Sequence, residues 1–286
     1  MKYDKFKQIF NETIFEKSKV VLLRKIANYP GRYIGLFRPT KPKAKILQNL
    51  LQSHEIRFGD AFEEIIEEYL KENGFEILDN KFSNKNNDKL NVDQFFKKGN
   101  KIYFVEQKVR DDHDSTKKRG QIENFEKKLN VIIEKYEEES INGFFYFIDP
   151  ELKKNRKYYA EVLGKMSKDY GVKLHVCYGV DFFELIDLKH TWEEILSYLE
   201  EWKKDIPELP ETNFDLDAES SFEEIKNLNP AYFRKLFTND EIFTEIVLAL
   251  FPKKKTLNLL LYYFEEKQKE RIIYNTLYKL LLEKLK

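Results

Sequence analysis

The stretch LNVDQFFKKGNKIYFVEQKV, residues 90–109, constrains the fold more than any other part of the chain. Two strand-like runs flank Gly99–Asn100, and such a two-residue step is a hairpin signal. If those two residues form the loop, Lys98 pairs with Lys101 and Asp93 falls opposite Glu106. Opposed positions hold their Cβ atoms about 4.5–5.5 Å apart. Residues two apart on a strand share a face, so Lys108 joins Glu106 and Asp93. Tyr103, Val105 and Val109 lie on the other face and suit a core.

Two opposed carboxylates repel, and one tends to stay protonated. A divalent cation removes the conflict. Mg²⁺ prefers carboxylate oxygens, keeps several waters and needs only one or two protein carboxylates. It can polarise a phosphoryl oxygen and supply an activated water. Lys108 beside them could orient the nucleophile or neutralise charge developing in the transition state. The plain alternative is a surface hairpin whose charges merely pair, since 35% of the residues are charged. Against it, Glu106 sits at the end of an apolar strand, IYFVEQKV.

Periodicity fills in the rest. Residues 5–27 read as helix, followed by the turn-rich NYPGRYIGLFRPTKPK and a helical run at 45–53. Phe58, Phe62, Ile65, Ile66 and Tyr69 follow a helical period over 57–73, and Gly74 ends that helix. Strands are predicted at 75–78, 90–97, 101–109, 143–148 and 173–178, and helices at 115–138, 157–170, 181–187 and 192–203. This order predicts an α/β core with a mixed sheet flanked by helices. Residues 205–225 carry two prolines, many acids and no base, which reads as an acidic linker or loop, and 229–286 looks wholly helical.

Composition excludes several classes. A length of 286 residues allows one large domain or two small ones, and the 15% aromatic content is foreign to a disordered chain. No apolar run approaches the roughly 20 residues of a membrane span, and MKYDKFKQIF lacks a signal peptide's apolar stretch. One cysteine, Cys177, excludes a disulfide framework or a cysteine-rich zinc site, and four scattered histidines argue against a His-based metal site. The chain is expected in the cytoplasm.

Asp93, the Glu106-Gln107-Lys108 run and the preceding FEEIIEEYLKENGFEI resemble the PD-(D/E)xK nuclease superfamily, and within it the type II restriction endonucleases. The likeness covers roughly residues 57–187, with GFFYFI and HVCYGVDFFELI fitting the later core. It implies Mg²⁺ at Asp93 and Glu106, with Gln107 in the ligand set, and Lys108 at the hydrolytic water. A glutamate on the helix before the first strand falls on Glu63, and a supporting glutamine on the helix after the ExK strand falls on Gln121. Val92, not Pro, precedes Asp93, and Asp88 or Asp79 are alternatives for the first ligand. The implied organisation is a basic N-terminal segment at 1–56, a nuclease core at 57–204, an acidic linker at 205–228 and a helical region at 229–286 for dimerisation or DNA recognition.

Charge supports a nucleic-acid partner. No acid occurs from Lys17 to His54, and nine bases fall within Lys17–Lys45. Arg32, Arg38, Lys41 and Lys43, with Tyr33 and Phe37 among them, suit a loop laid along double-stranded DNA. A solvated lysine-rich surface is the bland counterpart. Further on, Ser115 or Thr116 can cap a helix whose first turn carries Lys117, Lys118 and Arg119. Cations there oppose the helix dipole, which makes sense if a phosphate binds; His113 is expected to cap or touch phosphate. The whole predicts a Mg²⁺-dependent restriction endonuclease acting as a homodimer on two-fold sites. A repair nuclease or junction resolvase on the same core, or a DNA-binding module without catalysis, are the alternatives.

Overall fold

The computed structural model describes residues 1–15, 18–83, 89–112, 114–136, 139–208 and 210–286. The chain forms two compact units, one of Met1–Thr13 with Phe58–Ile206 and the other of Ile14–Arg57 with Pro207–Lys286.

The first unit is built on a five-stranded sheet flanked by helices. Its strands are β1 (Glu76–Ile77), β4 (Gln94–Lys98), β5 (Lys101–Lys108), β6 (Ser140–Phe147) and β7 (Lys173–Tyr178), in the order β1-β4-β5-β6-β7. β2 (Lys81–Ser83) and β3 (Lys89–Asn91) form a separate pair that the sequence shows only in part. β1, β4 and β5 are antiparallel, whereas β5, β6 and β7 run parallel, so the sheet is mixed. The β4–β5 hairpin turns at Gly99, whose φ of 60° suits a residue without Cβ. Its register pairs Lys98 with Lys101 and Gln94 with Val105, as a two-residue loop requires.

The parallel pairs need long crossovers, supplied by helices. After α1 (Tyr3–Phe15), α2 (Ser18–Asn28) and α3 (Pro42–Glu72), α4 (Ser115–Lys135) joins β5 to β6, and α5 (Arg156–Tyr170) joins β6 to β7. Both cover one sheet face, where Phe104, Phe125, Phe145, Leu129 and Tyr159 form the core. The other face carries Phe96, Tyr103 and Phe144. Phe10, Phe62, Trp192 and Trp202 form an aromatic cluster among the helices 3–15, 42–72 and 189–204. Central strands buried on both faces explain the unbroken apolar runs.

Helix boundaries differ from the expectation in three places. Residues 45–53 and 57–73 form a single 31-residue helix, Pro42–Glu72, because His54-Glu55-Ile56 offers no glycine or proline stop. Asp114, not Ser115 or Thr116, caps α4, its carboxylate accepting the Lys117 N–H at 2.8 Å. The expected helix over 5–27 is a pair, Tyr3–Phe15 and Ser18–Asn28.

The second unit is helical. Leu23, Ile26, Phe233, Phe237, Ile246, Leu260, Phe264 and Leu277 are buried in its core. The acidic stretch 205–228 is anchored, since Phe214, Ile225 and Leu228 join that core. Buried Asp215 accepts the N–H groups of Lys253 and Thr256, each at 2.8 Å. The helix Ala218–Ile225 starts at Asp217, which caps Ser220. Packing therefore divides the chain differently from charge: residues 1–13 belong with the sheet, and 14–57 with the C-terminal helices. Among the described residues, no helix is long and apolar enough to cross a membrane.

Gly143 on β6 is a point of no slack. A Cβ there would lie 2.5 Å from the Phe104 ring and 2.7 Å from Leu174. Gly143→Ala is expected to cost about 1–3 kcal/mol by overpacking, read as a lowered denaturation midpoint with an unchanged slope. An unshifted midpoint would show that the β5–β6 layer yields freely.

Candidate active site

The end of β5 holds a buried charge cluster. Glu106 is only 6% exposed, on the same face as Ile102 and Phe104. Lys108 Nζ donates to its Oε1 at 2.8 Å, and buried Lys128 of α4 donates to its Oε2. Asp93 sits at the entrance to β4, one position beyond the last ladder pair. Its Oδ2 accepts the Gln107 N–H at 2.7 Å and lies 3.4 Å from Lys108 Nζ. The main-chain carbonyl of Gln107 accepts from the same ammonium at 2.6 Å. Oxygens of Asp93, Glu106 and Gln107 thus converge on one cation.

A third carboxylate comes from the helix 42–72. Gln94 Nε2 donates to the Glu63 carbonyl at 2.6 Å, and Gln107 Nε2 to the Gly59 carbonyl at 3.2 Å. Both glutamines are buried and fasten this helix to β4 and β5. Burial, with Asp93 and Asp60 adding repulsion, pushes the Glu63 carboxyl up to about 8. Burial and the neighbouring Glu106 also raise Asp93. Burial disfavours the Lys108 charge, but Glu106 and Asp93 outweigh it and hold the ammonium above its ordinary range. Burial is the larger cause for the two carboxyls, with their mutual repulsion added to it, whereas the carboxylates alone hold up Lys108.

Among the described residues, no three His, Cys, Asp or Glu side chains are arranged to hold a metal. The donors that do converge are two carboxylates and a carbonyl, all hard oxygens, and a cation already stands among them. That set fits a divalent ion that keeps most of its waters.

Of the alternatives for the first ligand, Asp79 is turned to its own loop, accepting the Lys81 N–H at 3.0 Å. Asp88 lies outside the described residues. Gln121 is bonded to the Tyr159 hydroxyl at 2.9 Å, and α4 instead sends Lys128, two turns later, to Glu106. Lys128 was legible in principle: it falls on the buried stripe of Phe125, Leu129 and Ile132, where a charge needs a partner. Asp111 is spent structurally, accepting from Asn155 N and Nδ2 at 2.7 Å and from the Tyr178 hydroxyl at 2.9 Å.

The cationic residues divide. Lys117 and Arg119 are exposed, while Lys118 bonds Asn155 Oδ1 at 3.2 Å and stacks 4.4 Å from the Tyr158 ring centre. In the second unit Arg32, Arg38, Lys41 and Lys43 are exposed. Phe37 is fully exposed, but Tyr33 belongs to the core and is no surface contact. His113 and Lys17 lie outside the described residues.

A mixed sheet presenting an acidic pair and a lysine at the end of a central strand defines a nuclease of the restriction-endonuclease class. The family model described as type II restriction endonuclease, HinfI, matches residues 2–91 and 78–203, and the chain belongs to that family. The match does not reach the helices beyond residue 203. No curated protein and no solved structure matches the chain.

The raised Glu63 carboxyl sets a pH dependence. Its folded value of about 8 exceeds the ordinary 4.5, so between these the folded protein binds more protons than the unfolded chain. Its contribution to stability is therefore fullest at the acidic end and is lost as pH rises through this window. Chemical denaturation of metal-free protein should show wild type losing stability from pH 5.5 to 8.5 relative to Glu63→Gln. Parallel profiles would place Glu63 in ordinary solvent.

Proposed function

We propose that this type II restriction endonuclease hydrolyses double-stranded DNA with a Mg²⁺ ion held by Asp93, Glu106 and the Gln107 carbonyl. The observation carrying this is the convergence of those three oxygens on the Lys108 ammonium. When bound, Mg²⁺ supplies a Lewis acid for a phosphoryl oxygen and an acidified water. Lys108 orients the attacking water and offsets charge gathering on the phosphate. Lys128 fixes which way the Glu106 carboxylate faces. Glu63, anchored through Gln94, orients water or Lys108 from the helix side. The exposed cations Arg32, Arg38, Lys41, Lys43, Lys117 and Arg119, with Lys118 beside them, contact phosphates. A homodimer acting in the cytoplasm completes the reading, since a two-fold protein matches a two-fold duplex site.

The deciding experiment is digestion of sequenced phage DNA with Mg²⁺ and with EDTA, followed by sequencing of the ends. Discrete fragments with a shared end sequence are expected. Cutting of branched DNA alone would make the protein a resolvase, and binding without cutting would make it a module. Asp93→Asn is the cleanest variant, because it keeps the Gln107 N–H partnered. It and Lys108→Ala are expected to lower cleavage by about 100-fold or more, with duplex binding in Ca²⁺ largely kept. Glu106→Gln removes the counter-charge of buried Lys128 and half-buried Lys108 at once, so its cleavage is compared with its thermal stability. Glu63→Gln should lose less activity than Asp93→Asn. Full cutting by the Asp93 variant would move the ligand elsewhere.

Each phosphate contact contributes about −0.9 to the log–log slope of affinity against salt. Converting Arg32, Arg38, Lys41 and Lys43 to Gln should flatten that slope by up to roughly three or four units. An unchanged slope would leave these cations as solvated surface.

A further inference from the structure

Residues 30–38 form a loop whose exposure pattern is unusual for this chain. Of its 24 phenylalanines, Phe37 alone is exposed, and it is 100% exposed beside Leu36 at 98%. Single apolar residues on a surface need no explanation. Two adjacent ones held wholly in water at a loop tip do, because the loop is built to present them. A 3₁₀ turn at Pro30–Arg32 leads into Tyr33, which is buried in the helical core. Gly35 then adopts φ of 124°, a conformation closed to other residues in practice. The returning arm is clamped by Arg38, whose N–H donates to the Gly35 carbonyl at 3.2 Å and whose Nε donates to the Gly31 carbonyl at 3.1 Å. Leu36 and Phe37 therefore project from a closed loop with an anchored base.

The surroundings are cationic. Arg32, Arg38, Lys41 and Lys43 are all exposed, and no acid occurs between residues 17 and 54. Such a rim complements a polyanion. Phenylalanine and leucine are side chains that enter a base step when flanked by phosphate-binding cations. A two-residue tip does not offer the broad apolar face with which an amphipathic helix lies on a membrane surface.

We infer that Leu36 and Phe37 form an apolar wedge that enters the base stack of the duplex this enzyme binds and unstacks one step. The inference rests on the proposed DNA-binding reading, and its test separates the two.

The test uses full-length protein, Ca²⁺ in place of Mg²⁺, and a duplex spanning a mapped cleavage site with 2-aminopurine stepped through it. Wild type is expected to raise fluorescence at one step, marking unstacking there. Leu36→Ala/Phe37→Ala should abolish the rise and weaken binding by about tenfold or more, while keeping the wild-type salt slope because no charge is removed. Both side chains lie in solvent, so the fold, checked by circular dichroism, is expected to hold; the wild-type scan is decisive by itself. A duplex bound tightly with no step unstacked, or a rise that survives in the double variant, overturns the wedge and spares the DNA reading. Absence of any duplex binding by wild type overturns both. Pair-dependent binding to vesicles of phosphatidylserine and phosphatidylcholine without unstacking would reassign the tip to a membrane. Dissociation of the double variant into a smaller species by sedimentation velocity would reassign it to contact between copies.

Discussion

Glu106 is a buried carboxylate toward the end of a strand whose Ile102, Phe104 and Val105 are core, and burying such a group unpaired is costly. Two ammonium groups resolve this, one for each oxygen: Lys108 from the same strand and Lys128 from α4. Removing one partner of a buried pair typically costs about 3–5 kcal/mol, far more than the pair itself contributes. The arrangement is therefore less a source of stability than a demand on geometry. α4 must lie over β5 in the one rotation that points Lys128 at Glu106, and its apolar residues Phe125 and Leu129 share that rotation. Core packing and charge pairing thus specify the same helix orientation.

On the other side of the cluster the balance tips toward excess negative charge. The hairpin brings Asp93 against Glu106 and Lys108, and two amide hydrogen bonds bring the helix 42–72 close enough for Glu63 to feel Asp93. Burial, and then the repulsion among three carboxylates that two lysines do not satisfy, makes both Glu63 and Asp93 hold their protons more tightly. A divalent cation is the species that would relieve this. A cation bound there would offset the same burial and repulsion that raise these carboxyls, so binding and stability would be coupled through these groups.

The hairpin was the most legible part because its register depends on a short-range signal alone. Gly99–Asn100 sets the pairing of five residues on each strand, and the pleat sets which faces they occupy. The α/β order and the parallel crossovers were likewise written in local periodicity. What periodicity could not carry was contact between distant segments. Gln94 and Gln107 look like ordinary strand residues until the helix 42–72 lies across them. Lys128 reads as one more lysine unless its place on the apolar stripe is noticed. Residues 205–228 look like a linker by composition, yet Phe214 and Ile225 are buried and Asp215 ties down a distant backbone. Charge runs describe a surface, whereas units are decided by which apolar side chains meet, and residues 14–57 meet the C-terminal helices.

The two kinds of cation in the chain differ in how they are held, and that difference sorts their work. Lys128 is buried, Lys108 is half-buried, and both are bonded to carboxylates, which fixes their positions and partly shields them from salt. Changing either would act at a single place, on the Glu106 carboxylate it bonds. Arg32, Lys41 and Lys43 are exposed in an acid-free stretch, where each acts mainly as a screened charge. Their influence on a phosphate is long-ranged, weakly geometric and nearly additive. Screened charges of that kind can gather DNA but cannot choose a sequence. Selection has to come from groups that meet base edges, or from those that charge a sequence-dependent cost for deforming the duplex. An apolar tip among exposed cations is suited to the second task, because the ease of opening a base step depends on the bases that form it.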